Sequence, residues 1–434
     1  MKNTLLSALL VLSCMLSGQE SFQPKLDSFL TYMEKNDRAM GSVALRKGDQ
    51  LIYQKSIGMA QVKDAQKATA ETLYRIGSIS KTFTATIIFQ LVEEGQLTLG
   101  TPLGNFFPEL PTADSITVEQ MLRHRSGLAN FTSDPGYTSY MTQPKTRKEL
   151  LSIVKAGGTD FEPDEKMAYS NTNYVLLSFI IEEVEKKALE TVFKERIVQP
   201  LKLSHTYLGT SKNGRPQEAH SYEYLGGWEE MPVSHLSIPL GAGAVISNPA
   251  DLTLFYRALF EGQLVSPASL AQMTTKEMGM FRIPFDDKSA YGHNGGIDGF
   301  KSNAAYFPAE DLAVAFTTNG MNFSINELMI AVLSIYFQKE YAFPEFEETK
   351  KLDSKTLEQY TGTYATPELP IKVTITHKNG FLVGQGSGQP PFQLKPEGEH
   401  RFSFAQAGLA LEFMPEENKM ILKQGGTEYV MERE

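Results

Sequence analysis

Apolar side chains fall along this chain in two textures. Phe22, Leu26, Phe29, Leu30 and Met33 recur at helical intervals and predict a helix from about Ser21 to Asn36. The next stretch, SVALRKGDQLIYQKSIG from Ser42 to Gly58, alternates instead and reads as two strands turning at Lys47 to Asp49. A further helix is expected to run through KTFTATIIFQLVEEG and to stop near Gly95. Helical spacing returns at Val118–Arg123, Arg147–Val154, Asn173–Lys186 and Pro249–Phe260, the last with Asn248 as its expected N-cap and Asp251 three places on. Phe300 to Asn319 alternates as a hairpin turning at Pro308 to Asp311, and Ile325 to Phe337 is helical again. Strands at both ends with helices between them predict a mixed sheet flanked by helices, plus a helical insertion.

Beyond the charged segment FPEFEETKKLDSK the texture changes. From Leu357 onward, short alternating segments separated by Gly, Pro and Asn predict a small antiparallel barrel or sandwich, with a boundary near Glu348. Within it GQGSGQ, Gly384 to Gln389, lacks the Lys-Ser/Thr and helix of a phosphate loop and reads as a hairpin turn or bend. The expected division is 1–19 as a leader, 20–347 as the larger domain and 348–434 as the β-rich one.

The leader rests on MKNTLLSALLVLSCMLSGQESF, where Lys2 precedes a short apolar run and small residues follow at Ser17 and Gly18. That run is too short to span a bilayer, so the expectation is a periplasmic or secreted protein. Cys14 is the only cysteine and would leave with the leader, which excludes disulfides and cysteine metal sites from the mature chain. Alternatively VLSC is a lipoprotein cleavage site and Cys14 a lipid anchor to the membrane, although Leu12 fits that signal poorly. A chain of 434 residues exceeds one compact core, and 41% hydrophobic with 21% charged residues is ordinary for a soluble globular protein. A net charge of −10 without a basic stripe argues against nucleic acid as a partner. His205, His220, His235, His377 and His400 show no metal-ligand spacing, and no cofactor is expected.

Candidate chemistry begins at RIGSISKTFTA, where Ser78 and Lys81 stand three apart at the start of a helix, so that one side chain reaches the other. A serine in a first turn also meets the positive end of the helix dipole, which favours a developing anion. Lys81 serves as a base only if burial or a neighbouring cation lowers its pKa, and the apolar residues around it offer burial. S-x-x-K alone decides nothing, because Ser152 and Lys155 repeat it. What sets Ser78 apart is company: the only Y-x-N, Tyr169 to Asn171, and the only H-x-G, within HNGG from His293 to Gly296, follow it in that order. Ser152 and Lys155 have no such partners on their helix and read as an ordinary polar face. A phenol such as Tyr169 titrates near pH 10, but an ammonium neighbour would stabilise its anion, making it a second candidate base. His124, in MLRHRSGL, reads as structural, part of a helix end closed by Gly127 in the left-handed conformation. Gly241 and Gly243 read as sites of close backbone approach, since no third glycine completes a dinucleotide fingerprint.

With these motifs in this order, the sequence from about Phe22 to Phe337 resembles the serine β-lactamase, penicillin-binding protein and DD-peptidase superfamily. The likeness is to its branch of class C β-lactamases, D-alanyl-D-alanine carboxypeptidase-like proteins and esterases. The resemblance implies an α+β fold, an antiparallel sheet flanked by helices with a helical subdomain, followed here by a small β-barrel resembling the lipocalin-like domain often appended to the family. It implies a serine hydrolase that forms an acyl-enzyme on D-alanyl peptides, small esters or β-lactams, peptidoglycan fragments among them. The alternatives are a true class C-like β-lactamase and a non-catalytic penicillin-binding or sensor protein. By the same resemblance Ser78, Lys81 and Tyr169 are catalytic, with Tyr169 relaying the proton. Asn171, His293, Gly295 and Gly296 form the substrate-binding and oxyanion set, the Gly296 backbone N–H joining that of Ser78 in an oxyanion hole. Two departures stand out: Pro163-Asp164 replaces the usual proline-glycine, and His293 replaces the lysine typical of β-lactamases, which weakens the case for efficient β-lactam hydrolysis.

Overall fold

The computed structural model describes residues 21–210, 215–346, 351–369, 371–387 and 389–434. The expected leader with Cys14, and the expected boundary at Glu348, lie outside these residues. The alternating stretch after the first helix, α1 (Phe22–Lys35), folds into β1 (Ala39–Lys47) and β2 (Gln50–Ile57). Four strands from much later in the chain complete the sheet: β3 (Phe281–Phe285), β4 (Lys288–Ile297), β5 (Phe300–Phe307) and β6 (Leu312–Met321). Their order is β3-β4-β5-β6-β1-β2. Every pair is antiparallel, so the sheet is not mixed as alternation alone suggested. The β5–β6 turn falls at Pro308–Asp311 as expected, with Asp311 in the left-handed conformation.

Both faces of this sheet are covered, which is why β6 reads LAVAFTTNGM with no exposed position. On one face Leu26, Phe29 and Leu30 of α1 and Leu328 and Val332 of α6 (Ile325–Tyr336) pack on Val43, Val314 and Phe316. The other face carries α5 (Pro249–Phe260), and α2 (Ser80–Glu93), α3 (Arg147–Gly157) and α4 (Asn171–Glu185) share its hydrophobic core. Of these α2 and α4 are buried nearly all round, and their sequences are correspondingly apolar on all sides. Asn248 caps α5 as expected, its Oδ1 accepting the Asp251 N–H at 2.9 Å. Gly241 is a point of close approach: a Cβ there would sit 2.4 Å from both Ser178 Oγ and Thr84 Oγ1.

The C-terminal residues form one antiparallel sheet of nine described strands, running from Phe392–Gln393 at one edge to Lys395–Gly398 at the other. Those two edge strands are consecutive in the chain and separated only by the buried Leu394, so the sheet curls into a nearly closed barrel around Leu357, Ile375, Leu382, Phe413 and Met420. GQGSGQ ends the strand Phe381–Gly386 in a turn closed by the Gln389 N–H on the Gly386 carbonyl. The barrel docks on a hairpin of the larger region, Tyr222–Tyr224 with Trp228–Glu230. Asn379 Nδ2 donates to Leu225 O at 3.0 Å, and the Gly226 N–H donates to Gln393 Oε1 at 2.7 Å. Gly226 has φ +76°, and a Cβ there would lie 2.5 Å from the Phe381 ring. Among the described residues no helix is long and apolar enough to cross a membrane.

Candidate active site

Two local irregularities create the site. Pairing between β3 and β4 stops at Phe281–Gly292, so His293 to Ile297 have no β3 partner along one edge. Against that edge packs the turn Gly77–Ile79, a single 3₁₀ turn that precedes α2. Ser78 therefore lies just before the α-helix rather than within its first turn. The two backbones touch so closely that side chains are excluded. A Cβ on Gly77, whose φ is +51°, would come 2.8 Å from Gly296 N, and one on Gly295 would come 2.0 Å from Ile76 O. Ser302 Oγ donates to that same Ile76 carbonyl at 2.7 Å. Gly77 and Gly295 are thus glycines because strand and turn share one van der Waals layer, whereas a Cβ on Gly296 would meet nothing within 4 Å.

Lys81 is wholly buried, and its nitrogen has three neighbours: Ser78 Oγ at 2.9 Å, Asn171 Oδ1 at 2.8 Å and Ala242 O at 2.8 Å. Among the described residues no carboxylate pairs with it, and burial alone holds its pKa well below that of an ordinary lysine. The Asn171 and Ala242 oxygens can only accept, so they take two N–H groups; the third position faces Ser78, whose hydroxyl can donate. A neutral Lys81 consequently aims its lone pair at the serine proton.

Tyr169 O–H donates to Ser78 Oγ at 2.8 Å. Its ring keeps an exposed edge, but burial of the hydroxyl pushes the phenol up to about 12, against the opposing Ser78 hydrogen bond. The resting tyrosine is a protonated donor, not the phenolate that an ammonium neighbour would have favoured, even though Lys81 Nζ lies 4.8 Å from the ring centroid. Asn171 opens α4. Its oxygen is committed to Lys81, its Nδ2 donates to Thr132 Oγ1 at 2.9 Å, and its backbone N–H donates to Asn130 Oδ1 at 2.9 Å.

His293 is buried, with Nδ1 2.5 Å from the Asn294 carbonyl. A carbonyl only accepts, so Nδ1 carries the proton and Nε2, buried without a partner among the described residues, is a bare acceptor. Burial, reinforced by the Lys81 charge, drives its pKa down to about 3. Neutral His293 therefore supplies no cation to a substrate carboxylate.

His124 is where structure and sequence part. The left-handed residue that closes the helix Val118–Leu122 is His124 itself, φ +54°, and not Gly127. The Arg125 N–H returns to Gln120 O and the His124 N–H to Met121 O, the paired bonds of a Schellman ending. Gly127 does have positive φ, but three residues later, where a Cβ would strike Phe161 O. The histidine ring enters the site, stacked on Tyr169 at 4.3 Å and 28°. Its Nδ1 accepts the Ser170 N–H at 3.1 Å, and burial beside Lys81 brings its pKa to about 3. Nothing in the local sequence around His124 signals this, because Tyr169 and Ser170, the partners of its ring, lie far along the chain.

The departure at Pro163-Asp164 also resolves. Asp164 adopts φ +67°, the conformation a glycine would take, and its carboxylate and carbonyl bind Arg125. Arg125 is thereby occupied, and Lys301 is exposed with its charge acting on Glu223. Ser152 lies on the outer face of α3, its hydroxyl bonded to Lys148 O at 2.9 Å, remote from Tyr169 and β4. One buried ion pair frames the site: Arg75, three residues before Ser78, meets Asp298, two after Gly296, at 3.3 Å.

Comparison with known proteins finds relatives in both sequence and fold. A family model described as Beta-lactamase matches residues 27–331. Teichoic acid D-alanine hydrolase of Staphylococcus aureus is 26% identical over 312 residues, 70% of this chain and 76% of its own length. Among solved structures, D-amino acid amidase from Ochrobactrum anthropi SV3 superposes with a TM-score of 0.68 at 25% identity, covering 74% of this chain and 99% of its own. An octameric penicillin-binding protein homologue from Pyrococcus abyssi shares the fold over 94% of this chain and all of its own, with a TM-score of 0.65 at 22% identity.

Proposed function

The chain belongs to the β-lactamase family and is a serine hydrolase; from that premise we propose that it acts through an acyl-enzyme on Ser78, with D-aminoacyl amides and small esters as substrates. The observation that carries this is the hydrogen-bonded line Tyr169–Ser78–Lys81 around a buried lysine with no counter-ion among the described residues.

In this mechanism Ser78 Oγ attacks the substrate carbonyl while its proton passes to the Lys81 lone pair. The resulting ammonium keeps acceptors at Asn171 and Ala242, so the charge forms where two oxygens already point. The oxyanion sits between the backbone N–H groups of Ser78 and Gly296. Tyr169, already protonated, gives its proton to the leaving amine or alkoxide, and the neighbouring Lys81 ammonium returns to the tyrosinate the proton it took from Ser78. Water then repeats the sequence in reverse roles and releases the acid.

A leaving side without an available cation favours esters and amides over substrates that present a carboxylate there, and D-alanyl peptides and β-lactams rank below them. This agrees with the activities named for the staphylococcal and Ochrobactrum relatives. The expected leader places the reaction in the periplasm or outside the cell, where D-alanyl groups of the wall are the substrate of this type. The complete set Ser78, Lys81, Tyr169 and Asn171 disfavours a non-catalytic sensor. Incubation with a fluorophosphonate followed by intact mass tests the nucleophile: Ser78→Ala abolishes labelling and Ser152→Ala leaves it intact, whereas labelling that survives Ser78→Ala refutes the assignment.

A further inference from the structure

One end of the cleft is bridged. The segment 130–146 leaves the Asn171 wall, where Asn130 and Thr132 accept the backbone and side-chain N–H groups of Asn171. It then crosses to segment 234–237 on the opposite wall: the His235 N–H donates to Met141 O at 2.8 Å, and the Lys145 N–H donates to Ser237 Oγ at 2.9 Å. Between these anchors the short helix Tyr137–Tyr140 brings Tyr137 against Ser234. Ser234 is itself fixed, its N–H and hydroxyl donating to Asp298 at 2.9 and 2.7 Å and its carbonyl accepting from Arg75 at 2.6 Å. The strap thus joins the wall that holds Lys81 to the end of the strand that holds Gly296.

Which end this is follows from the proposed proton path, on which the present inference rests. The leaving group departs toward Tyr169, which lies beside His293 with ring centroids 6.3 Å apart. From His293, β4 runs through Gly296 to its end at Ile297, and Asp298, where the strap attaches, follows at once in the turn. Two residues of extended chain separate Gly296 from Asp298, about 7 Å at ~3.3 Å per residue. We propose that the strap closes the acyl end of the cleft, so that the enzyme accepts a short acyl group of about one amino-acid residue, with Tyr137 as the specificity-determining side chain. The end wall is aromatic, Phe131 and Tyr137 lying 5.9 Å apart, and the two charges beside it, Arg75 and Asp298, neutralise each other.

The test compares kcat/KM for p-nitrophenyl acetate and p-nitrophenyl octanoate, two uncharged esters that differ only in acyl length. The full-length wild-type enzyme is expected to prefer acetate by about ten-fold or more, a discrimination typical of a closed apolar pocket. Tyr137→Ala is expected to cut that ratio at least about five-fold, and Tyr137→Phe to preserve it, because the ring and not the hydroxyl forms the wall. Ser237→Ala, which releases the Lys145 anchor without touching the wall, is expected to move the ratio in the same direction as Tyr137→Ala. Fluorophosphonate labelling of each variant reports an intact Ser78 site. Labelled enzymes that turn over octanoate as well as acetate, or a Tyr137→Ala ratio equal to wild type, overturn the strap inference alone. Failure of wild type to label at Ser78, with both esters inert, overturns the acyl-enzyme proposal and the strap with it.

Discussion

Replacing Asn171 by aspartate puts a carboxylate oxygen where an amide oxygen now stands, 2.8 Å from the Lys81 nitrogen. The side chain keeps its size, and the Thr132 hydroxyl, which now accepts from the amide, can rotate to donate to the new oxygen. What changes is charge. Lys81 is held below its ordinary pKa by desolvation, with no anionic partner among the described residues to oppose it. A unit-charge pair is worth about 4 kcal/mol at 4 Å and an effective dielectric of 20, and opposite charges in contact commonly shift a pKa by about one to three units. Asn171→Asp therefore raises the Lys81 pKa, and the neutral fraction at pH 7.5 falls by up to about a thousand-fold. If the neutral amine is the base, activity is present above the Lys81 pKa and is lost as pH falls through it, so the acidic limb of the kcat/KM profile moves upward by about one to three pH units. The assay is ester hydrolysis from pH 5 to 9.5, corrected for spontaneous hydrolysis, with Asn171→Leu as the uncharged control that leaves the limb where it is or lower. An acidic limb unmoved in Asn171→Asp would refute Lys81 as the base.

Gly77→Ala forces a left-handed backbone on a residue that resists it, at about 1–2 kcal/mol, and drives a methyl into Gly296, so both lower thermal stability and at least ten-fold poorer ester turnover are expected; a stable, fully active variant would show that Gly77 and Gly296 are not in register. Because neutral His293 offers no positive charge, wild type should hydrolyse p-nitrophenyl acetate far faster than nitrocefin at pH 7.5, with His293→Lys narrowing the gap by roughly ten-fold, and equal wild-type rates would place carboxylate recognition elsewhere. A chain ending at Glu348 exposes the Tyr222–Glu230 hairpin on which the barrel docks; it is expected to fold and retain ester hydrolysis, and a folded but inert product would make the barrel part of the catalytic unit.

The elements that could be read from sequence were those whose pattern is local. The β1–β2 and β5–β6 hairpins, α1, α5 and α6 all follow from which side of each segment is apolar and which residues can turn. The burial of Lys81 was equally legible, because α2 has no polar face to carry it to water. What escaped were features defined by distant partners. The Arg75–Asp298 pair joins residues more than two hundred positions apart, and the Arg125–Asp164 pair spans an inserted helix and loop. His124 looked like a residue near a helix end, and its ring became part of the site only because α4 brings Tyr169 over it. The free edge of β4 depends on β3 being five residues long, a property of the neighbour and not of HNGG itself.

The place of β1 in the sheet sets a clock on the making of this protein. It lies between β2, which follows it at once, and β6, so that Ala39 pairs with Met321 and nothing shorter will complete its ladder. At synthesis rates of about 5–20 residues per second, the β1–β2 hairpin waits roughly 15 to 55 seconds before its second neighbour exists. A lone hairpin is at best marginally stable in water. During that interval the apolar face of α1 and the β1 edge have no permanent cover. The helical region around α2 and α4, whose contacts are nearer in sequence, can condense first. Ser78, on α2's threshold, would then be in place before the strand that packs against its turn has been translated.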